Sequence, residues 1–247
     1  MTQLTDKRVV ITGGGSGIGA DMAMAFAEAG AKVTITGRRE AALQAVADQH
    51  RQLDFAVVDV TDEAAMVALF ERMGRVDIVI ANAGAAESAP FAKTSFEQWQ
   101  RMLNVNLSGV FLTLREGLKQ LNEGGRLIAV ASTAGLKGYA YVGAYCAAKH
   151  GVVGLVRSLA AETATRNITV NALCPGFTDT PLLAASVDNI VAKTGQSTEQ
   201  ATSHFESTNP TGRLVTPAEV TATALWLCGP NSGAINGQAI SISGGEV

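Results

Sequence analysis

Short runs of apolar and β-branched residues recur along the whole chain. There are seven: Arg8–Thr12, Lys32–Thr36, Phe55–Val60, Val76–Ala81, Arg126–Ser132, Ile168–Cys174 and Ala239–Ser243. Their apolar character is nearly continuous, which is typical of strands covered on both faces, as in a parallel sheet. The pattern predicts strands that lie inside the molecule.

Longer amphipathic segments separate most of these runs and predict helices. They are Ala20–Ala29, Glu40–Gln49, Glu63–Met73, Phe96–Leu121 and Val142–Thr165. Strand and helix in alternation imply right-handed crossovers. The chain is therefore predicted to form an α/β fold, a doubly wound seven-stranded parallel sheet with helices on both faces.

The chain contains no charge block, low-complexity stretch or Pro/Gly-rich linker, so we expect residues 1–247 to form a single domain. One region departs from the alternation. The segment 181–212 is long, polar in places and rich in Ser and Thr. We interpret it as a mobile, partly helical flap that covers a substrate.

The composition narrows the class of protein. Hydrophobic residues make up 47% and charged residues 17%, which is typical of a folded chain. A net charge of −3 gives no reason to expect nucleic acid or an anionic membrane as partner. The apolar runs fall short of the roughly 20 residues that a membrane span needs, and Met1–Val10 lacks the features of a secretory signal. Three widely spaced cysteines without a Cys-x-x-Cys pair favour reduced thiols in a cytoplasmic protein, and the three histidines show no metal-ligand spacing.

A glycine-rich turn follows the first strand. The sequence "TGGGSGIGA" (Thr12–Ala20) contains Gly15-x-Gly17-x-x-Ala20, the dinucleotide fingerprint with Ala in its third position. Bare backbone at this point lets a pyrophosphate approach the N-terminus of the next helix, where free N–H groups favour anions. No Gly-Lys-Ser/Thr follows, which disfavours a nucleoside-triphosphatase loop. A tight turn without a ligand is the plainer alternative.

The end of the second strand bears on which dinucleotide would bind. In "TGRRE", Gly37 stands where an NAD-binding acid is expected, and Arg38 and Arg39 follow. A missing carboxylate removes repulsion, and a guanidinium can bind a 2′-phosphate through two hydrogen bonds. The pattern favours NADP(H) over NAD(H), with Arg38 as the better candidate because it is closest to the strand end. The alternative is that both arginines are merely solvated.

Tyr145 and Lys149 stand four residues apart within the last of the predicted helices, Val142–Thr165. Residues so spaced share a helix face. An unperturbed phenol has a pKa near 10, and we expect a neighbouring ammonium to lower that pKa. The pair would then act as a general acid for carbonyl reduction or a general base for alcohol oxidation. Taken alone, a Tyr/Lys pair on an ordinary helix face is the simpler interpretation.

Other motifs along the chain change that interpretation, since from about Lys7 onward the chain resembles the short-chain dehydrogenase/reductase family. The motifs appear in family order: "TGGGSGIG" (Thr12–Gly19), "DV" (Asp59-Val60), "NAG" (Asn82–Gly84), "NVNLSGVF" around Asn106, Ser132 thirteen residues before Tyr145 of "YCAAK", and "NALCPGFTDT" (Asn171–Thr180). The resemblance implies a Rossmann fold in one dinucleotide-binding catalytic domain. It also implies a homotetramer, with a dimer as the alternative, built on the segments Phe96–Leu121 and Val142–Thr165.

The resemblance also assigns catalytic roles. Tyr145 would be the acid/base, and Lys149 would lower its pKa and bind the nicotinamide ribose. Ser132 would donate a hydrogen bond to the substrate carbonyl oxygen. Asn106 would hold a water that links Lys149 to a proton relay.

A larger set of residues would bind the cofactor. By resemblance they are Thr12, Gly13, Gly15, Ser16, Gly17, Ile18, Gly19, Arg38, Asp59, Val60, Asn82, Ala83, Gly84, Tyr145, Lys149, Pro175, Gly176, Thr178 and Thr180. Asp59 and Val60 would contact adenine, and Thr180 would meet the nicotinamide carboxamide. Ser16 departs from the many NADP-preferring relatives that carry a basic residue in the glycine turn. No metal is expected.

The function that this resemblance implies is an NADP(H)-dependent oxidoreductase that interconverts a ketone and a secondary alcohol. "ASTAGLKGY", "NALCPGF" and "PTGRLVTPAEV" are most similar to 3-oxoacyl reductases, polyketide ketoreductases and 3-hydroxybutyrate-type dehydrogenases. We therefore expect a 3-oxoacyl thioester or a related β-keto substrate. A sugar, steroid or cyclic ketone is the alternative, and a non-catalytic NADP(H)-sensing protein is a second one. Tyr139 and Tyr141 are candidates either for a substrate wall or for packing.

Overall fold

Seven strands form one parallel sheet within residues 4–247, the part of the chain that the computed structural model describes. The strands are β1 (Arg8–Thr12), β2 (Lys32–Gly37), β3 (Leu53–Val57), β4 (Val76–Ala81), β5 (Leu121–Val130), β6 (Thr169–Pro175) and β7 (Ala239–Ile242). Residues 1–3, which belong to the Met1–Val10 stretch that lacks the features of a secretory signal, lie outside the described residues. The sheet order is β3-β2-β1-β4-β5-β6-β7. The sheet is therefore extended from β1 on one side by β2 and β3 and on the other side by β4 to β7. Ligands of open α/β sheets bind where the order reverses, at the carboxyl ends of the strands.

Helices cover both faces of this sheet. They are α1 (Gly17–Glu28), α2 (Glu40–Ala47), α3 (Glu63–Met73), α4 (Phe96–Leu103), α5 (Gly109–Gln120), α6 (Gly143–Thr163), α7 (Pro181–Thr194), α8 (Thr198–Glu206) and α9 (Pro217–Leu227). Neighbouring side chains of a strand point to opposite faces. Val10 accordingly packs with α3, α5 and α6, whereas Val9 and Ile11 pack with α1, α2 and α9. The doubly wound Rossmann fold predicted from the sequence is confirmed.

Several predicted elements have different bounds in the structure, and two of these differences have a local cause. The fifth strand, predicted over Arg126–Ser132, is Leu121–Val130. The third strand was expected over Phe55–Val60, but β3 begins at Leu53 and ends at Val57. The chain turns away because Asp59 Oδ1 accepts hydrogen bonds from the backbone N–H of Thr61 at 2.9 Å and from its hydroxyl at 2.8 Å.

The single helix predicted over Phe96–Leu121 is divided. A π turn (Asn104–Ser108) separates α4 from α5, and Leu121 already belongs to β5. The cause is local, since Asn106 Nδ2 donates to the carbonyl oxygen of Met102, one turn earlier, at 3.0 Å. π turns are rare and often mark functional sites.

The segment 181–212 contains α7 and α8, so its partly helical character is confirmed. Thr180 caps α7 and Pro181 occupies the first turn, while Ser197 and Gln200 form a capping box at the start of α8. The two helices share a small core of their own, formed by Leu183, Val187, Ala201 and Phe205. Within residues 4–247, none of the helices is both long and apolar enough to cross a bilayer.

Candidate active site

A cavity of about 1380 Å³ opens at the carboxyl edge of the sheet, where the strand order reverses. The turn after β1 and the ends of β2, β4, β5 and β6 form one side of the cavity. Residues of α6, α7 and α8 close the other side. The cavity therefore draws its walls from nearly the whole length of the chain.

The glycine turn is shaped by contacts that leave no room for side chains. Gly13 has a φ of +69°, and its N–H donates to the carbonyl oxygen of Thr36 at 2.7 Å. A Cβ on Gly19 would collide with the carbonyl oxygen of Gly13. Among the described residues Ser16 receives no capping hydrogen bond from α1, so the first N–H groups of that helix stay available beside the cavity. This is the geometry of an anion cradle.

Most of the predicted cofactor residues line this cavity. They are Gly13, Gly15, Ser16, Gly17, Ile18, Gly19, Arg38, Asp59, Val60, Asn82, Ala83, Gly84, Tyr145, Lys149, Pro175, Gly176, Thr178 and Thr180. Thr12 lies beneath the floor instead, buried with 1% exposure. Its Oγ1 accepts hydrogen bonds from the N–H groups of Asn82 and Ala83 at 3.1 and 3.2 Å. Thr12 thus ties the end of β1 to the end of β4 and supports the cleft from below.

Two arginines stand at the end of β2. Arg38 Nη1 lies 3.9 Å from Asp59 Oδ2, and its side chain is 71% exposed. Arg39, the second candidate from the sequence, donates from Nη2 to Ser16 Oγ at 3.3 Å and lines the same cavity. Burial alone would raise the pKa of Asp59, but hydrogen bonds from Thr61 and the Arg38 guanidinium lower it overall. The structure therefore places two guanidinium groups, Ser16 and the glycine turn at one end of the cavity.

Helix α6 carries the Tyr145/Lys149 pair at the other end. Both side chains face the cavity, and Lys149 Nζ lies 5.5 Å from the centre of the Tyr145 ring. The Lys149 ammonium donates to the carbonyl oxygen of Val130, at the end of β5, at 2.8 Å. The predicted proximity of the pair is present.

Ser132 follows β5 and stands next to the tyrosine. Its Oγ accepts from the N–H of Ala134 at 3.1 Å, and a hydrogen bond from its side chain acts to lower the pKa of Tyr145. A Cβ on Gly135 would stand 2.7 Å from the carbonyl oxygen of Lys149, so the turn after Ser132 packs tightly on α6. Ser132 is not among the cavity-lining residues within 4–247, although Ala131 and Ala134 on either side are.

The expectation that Lys149 lowers the pKa of Tyr145 is wrong for this arrangement. Loss of water around the half-buried phenol raises the pKa of Tyr145 to about 12, which outweighs the hydrogen bond from Ser132. Burial likewise lowers the pKa of Lys149 to about 8. The physical reason is the position of Nζ, which lies over the ring and bonds a backbone carbonyl instead of the phenol oxygen.

Asn106 is fully buried beside this pair. Its Oδ1 accepts from the N–H of Ala85 at 3.1 Å, and its Nδ2 donates to the carbonyl oxygens of Ala85 and Met102 at 2.9 and 3.0 Å. A Cβ on Gly84 would stand 3.0 Å from Asn106 Oδ1 and 3.8 Å from Lys149 Nζ. Asn106 therefore fixes the loop after β4 at the point where that loop passes Lys149.

Other residues divide between the cavity wall and the scaffold. Tyr139 and Tyr141 both line the cavity, as does Glu87, which is paired with Arg101 at 3.0 Å. His150 Nδ1 bonds the carbonyl oxygen of Cys146 on its own helix. No group of three or more metal-ligating side chains occurs within residues 4–247.

A Rossmann sheet whose cleft joins a glycine turn to a Tyr/Lys pair defines a dinucleotide-binding α/β protein. The family model described as "Enoyl-(Acyl carrier protein) reductase" matches residues 13–246. The chain belongs to the short-chain dehydrogenase/reductase family, as its motifs had indicated.

Curated relatives and solved structures agree with this assignment. A putative ketoacyl reductase of Streptomyces coelicolor is 36% identical over 96% of this chain and 95% of its own. A D-beta-hydroxybutyrate dehydrogenase of Rhizobium meliloti is 34% identical, over 97% of this chain and 98% of its own. The crystal structure of a variant of the actinorhodin polyketide ketoreductase with NADPH superposes with a TM-score of 0.90 at 33% identity, and the match covers 100% of this chain and 99% of that one. This chain is an oxidoreductase that acts on CH–OH groups and the corresponding ketones.

Proposed function

We propose that the protein is an NADP(H)-dependent reductase of 3-oxoacyl thioesters or related β-keto compounds, with Tyr145 as the proton donor. The observation that carries the proposal is the meeting of Tyr145, Lys149 and Ser132 at one end of a cleft whose other end is an anion cradle. Such a cleft suits a dinucleotide along its length and a ketone beside the tyrosine.

The residues at the cradle fit the cofactor. The glycine turn leaves room for a pyrophosphate at the N-terminus of α1. Arg38, Arg39 and Ser16 offer donors to a 2′-phosphate, and Gly37 places no carboxylate there to repel it. This arrangement supports NADP(H) over NAD(H), and the NADPH in the actinorhodin ketoreductase structure supports it as well. The bound nicotinamide would supply the hydride.

The protein's own residues would handle the proton. With a pKa of about 12, Tyr145 is protonated at neutral pH, which suits a general acid that neutralises the alkoxide formed from a ketone. Ser132 would donate to the same oxygen and orient it. Lys149, charged below its pKa of about 8, would bind the nicotinamide ribose and keep a positive charge beside the developing anion. Asn106 would keep the loop after β4, and water held there, next to Lys149.

The lining of the cavity beyond Tyr145 supports the proposal of an acyl substrate. Beyond Tyr145 the walls are largely apolar and include Leu183, Ile190 and Phe205, while Ser186 and Lys193 add polar groups from α7. An apolar passage with a few polar groups suits a β-keto compound carried on a polar tail. The ketoacyl and hydroxybutyrate substrates in the relatives' names agree with this class.

The remaining expectations extend this proposal to the whole chain. Residues 1–247 would form one catalytic domain, with the segment 181–212 as its substrate flap. The protein would be cytoplasmic and would assemble as a homotetramer through α4, α5 and α6. In support of assembly, Phe111 on α5 is 41% exposed although it is a large aromatic. Light scattering on the purified protein tests the mass of the assembly.

A substrate screen tests the proposed reaction. The purified protein is mixed with NADPH and with acetoacetyl-CoA, longer 3-oxoacyl thioesters, cyclic diketones, sugars or steroids, and the oxidation of NADPH is followed by its loss of absorbance. We expect the highest kcat/KM with the 3-oxoacyl thioesters. A higher value with a sugar, steroid or cyclic ketone would replace the proposed substrate, and cofactor binding without any turnover would favour a sensor of NADP(H).

A further inference from the structure

The segment Ser243–Val247, which follows β7, packs against Gly176, a residue of the cavity wall. Within it, the side chain of Glu246 is only 2% exposed. Its Oε1 accepts a hydrogen bond from the Tyr139 hydroxyl at 2.5 Å and lies 3.0 Å from Lys137 Nζ. Burial of a carboxylate destabilises a fold unless other groups compensate its lost hydration. Glu246 has two such partners, both in the segment between β5 and α6.

The absence of a side chain at Gly176 makes room for this carboxylate. A Cβ on Gly176 would stand 3.2 Å from Glu246 Oε2, which is buried and has no hydrogen-bond partner among residues 4–247. Gly176 itself lines the cavity at the end of β6. Glu246 therefore lies directly behind the cavity wall, wedged between that wall and Tyr139.

Tyr139 connects Glu246 to the aromatic residues that line the cavity beyond Tyr145. The Tyr139 hydroxyl is 2.6 Å from Thr133 Oγ1, and its ring meets Phe177 edge-on with centres 5.6 Å apart. Phe177 in turn packs against Phe205 of α8, with ring centres 4.7 Å apart. Tyr139, Phe177 and Phe205 all line the cavity, and we call them the aromatic row.

We propose that Glu246 is a positioning residue that sets the substrate side of the cleft by holding the aromatic row in place. Glu246 fixes Tyr139 through its hydroxyl, and the ring contacts carry that placement through Phe177 to α8. The row forms the surface against which the carbon chain of the ketone packs. The role in substrate binding rests on the proposed reductase function, whereas the coupling of Glu246 to α8 does not.

Three variants test the proposal in the intact protein. Glu246→Ala removes the shared partner of Tyr139 and Lys137, while Glu246→Gln keeps an oxygen that can accept from Tyr139. Val247→Ala is the matched control, because Val247 is the adjacent residue and is 43% exposed. The measurements are KM for acetoacetyl-CoA, KM for NADPH, kcat, and hydrogen exchange of the segments 133–141 and 198–206.

We expect Glu246→Ala to raise KM for acetoacetyl-CoA about tenfold, the size expected for loss of a charged hydrogen bond. KM for NADPH should change less than KM for acetoacetyl-CoA, since Glu246 approaches the cofactor residues at Gly176 and makes no hydrogen bond to the glycine turn or to the two arginines. Exchange in both segments should be faster in Glu246→Ala, close to wild type in Glu246→Gln, and unchanged in Val247→Ala.

Two results would overturn the proposal. Unchanged exchange in Glu246→Ala would do so whether or not the wild-type protein reduces a ketone. Faster exchange with an unchanged KM for the ketone would reduce Glu246 to a structural residue. A wild-type protein that reduces none of the ketones would instead remove the proposed function, and exchange would then decide the coupling between Glu246 and α8 by itself.

Discussion

Lys149 Nζ lies 5.5 Å from the centre of the Tyr145 ring and donates its hydrogen bond to the carbonyl oxygen of Val130, not to the phenol. The two groups are therefore neighbours with separate partners, and burial moves their pKa values apart, to about 12 for the tyrosine and about 8 for the lysine. Near neutral pH the tyrosine is therefore protonated and the lysine is a cation. This combination suits reduction of a ketone more directly than oxidation of an alcohol.

The pH dependence of reduction follows from the lysine. Lys149 is charged below a pKa of about 8 and neutral above it, so kcat/KM for ketone reduction should be level at low pH and fall through an apparent pKa near 8. Initial rates between about pH 6.5 and 10 measure this profile. Lys149→Met should lower kcat/KM at every pH and remove its fall near pH 8. If kcat/KM of that variant still falls near pH 8, another group titrates.

Replacement of Tyr145 with Phe separates proton donation from binding. The ring and its packing remain while the hydroxyl is lost, so kcat should fall about 10²- to 10⁴-fold, the usual contribution of a general acid. NADPH affinity, measured by the fluorescence of the bound cofactor, should stay within a few-fold of wild type. Tyr141→Phe is the matched control, since Tyr141 lines the same cavity. Turnover that survives in Tyr145→Phe would assign the proton to a different group.

The two arginines at the end of β2 should determine cofactor preference together. Arg38→Ala and Arg39→Ala should each lower kcat/KM with NADPH roughly tenfold or more and leave NADH less affected, because a charged hydrogen bond to the 2′-phosphate is lost. Arg38→Asp should shift preference toward NADH. Arg72→Ala, an exposed arginine at the end of α3, is the control. An unchanged ratio of the two kcat/KM values in all three variants of Arg38 and Arg39 would contradict a 2′-phosphate site here.

Tyr141 holds an unfavourable backbone conformation at the mouth of the cavity. Its φ is +68°, a left-handed value that costs a bulky residue about 1–2 kcal/mol. The hydrogen bond from the N–H of Ala89 to its carbonyl oxygen, at 2.8 Å, holds it there. Asn tolerates this conformation and Ala does not, so Tyr141→Asn should be more stable than Tyr141→Ala by about 1 kcal/mol, or roughly 2–4 °C in Tm. Equal melting temperatures would show that the strain is relieved elsewhere.

The sheet could be predicted from the sequence because its physical signal is local. A strand buried on both faces must be apolar throughout, and the runs at Arg8–Thr12 and Val76–Ala81 have the same bounds as β1 and β4. The division of Phe96–Leu121 could not be predicted in this way. The apolar periodicity continues through the π turn, and what breaks the helix is one amide, that of Asn106, bonding the carbonyl of Met102.

Residues of the candidate site that belong to sequence motifs could be predicted. Contacts and pKa values that depend on the folded chain could not. Tyr145, Lys149 and Ser132 were found from their order along the chain, and the structure brings them together. Glu246 was missed because it lies 107 positions from Tyr139 in the sequence, and no local pattern marks such a contact. The pKa of Tyr145 was predicted in the wrong direction, since the loss of water around it depends on the whole fold.

The strand order has a consequence for how the protein is made. Of the seven described strands β1 is synthesised first, but it becomes the third in the sheet, and its partner β4 is synthesised only at residues 76–81. Until then one edge of β1 presents unpaired N–H and C=O groups to other nascent chains. The cleft is completed later still, by the end of β6 and by α7 and α8. Capture of a dinucleotide by newly made protein would therefore report that these later elements have joined the sheet.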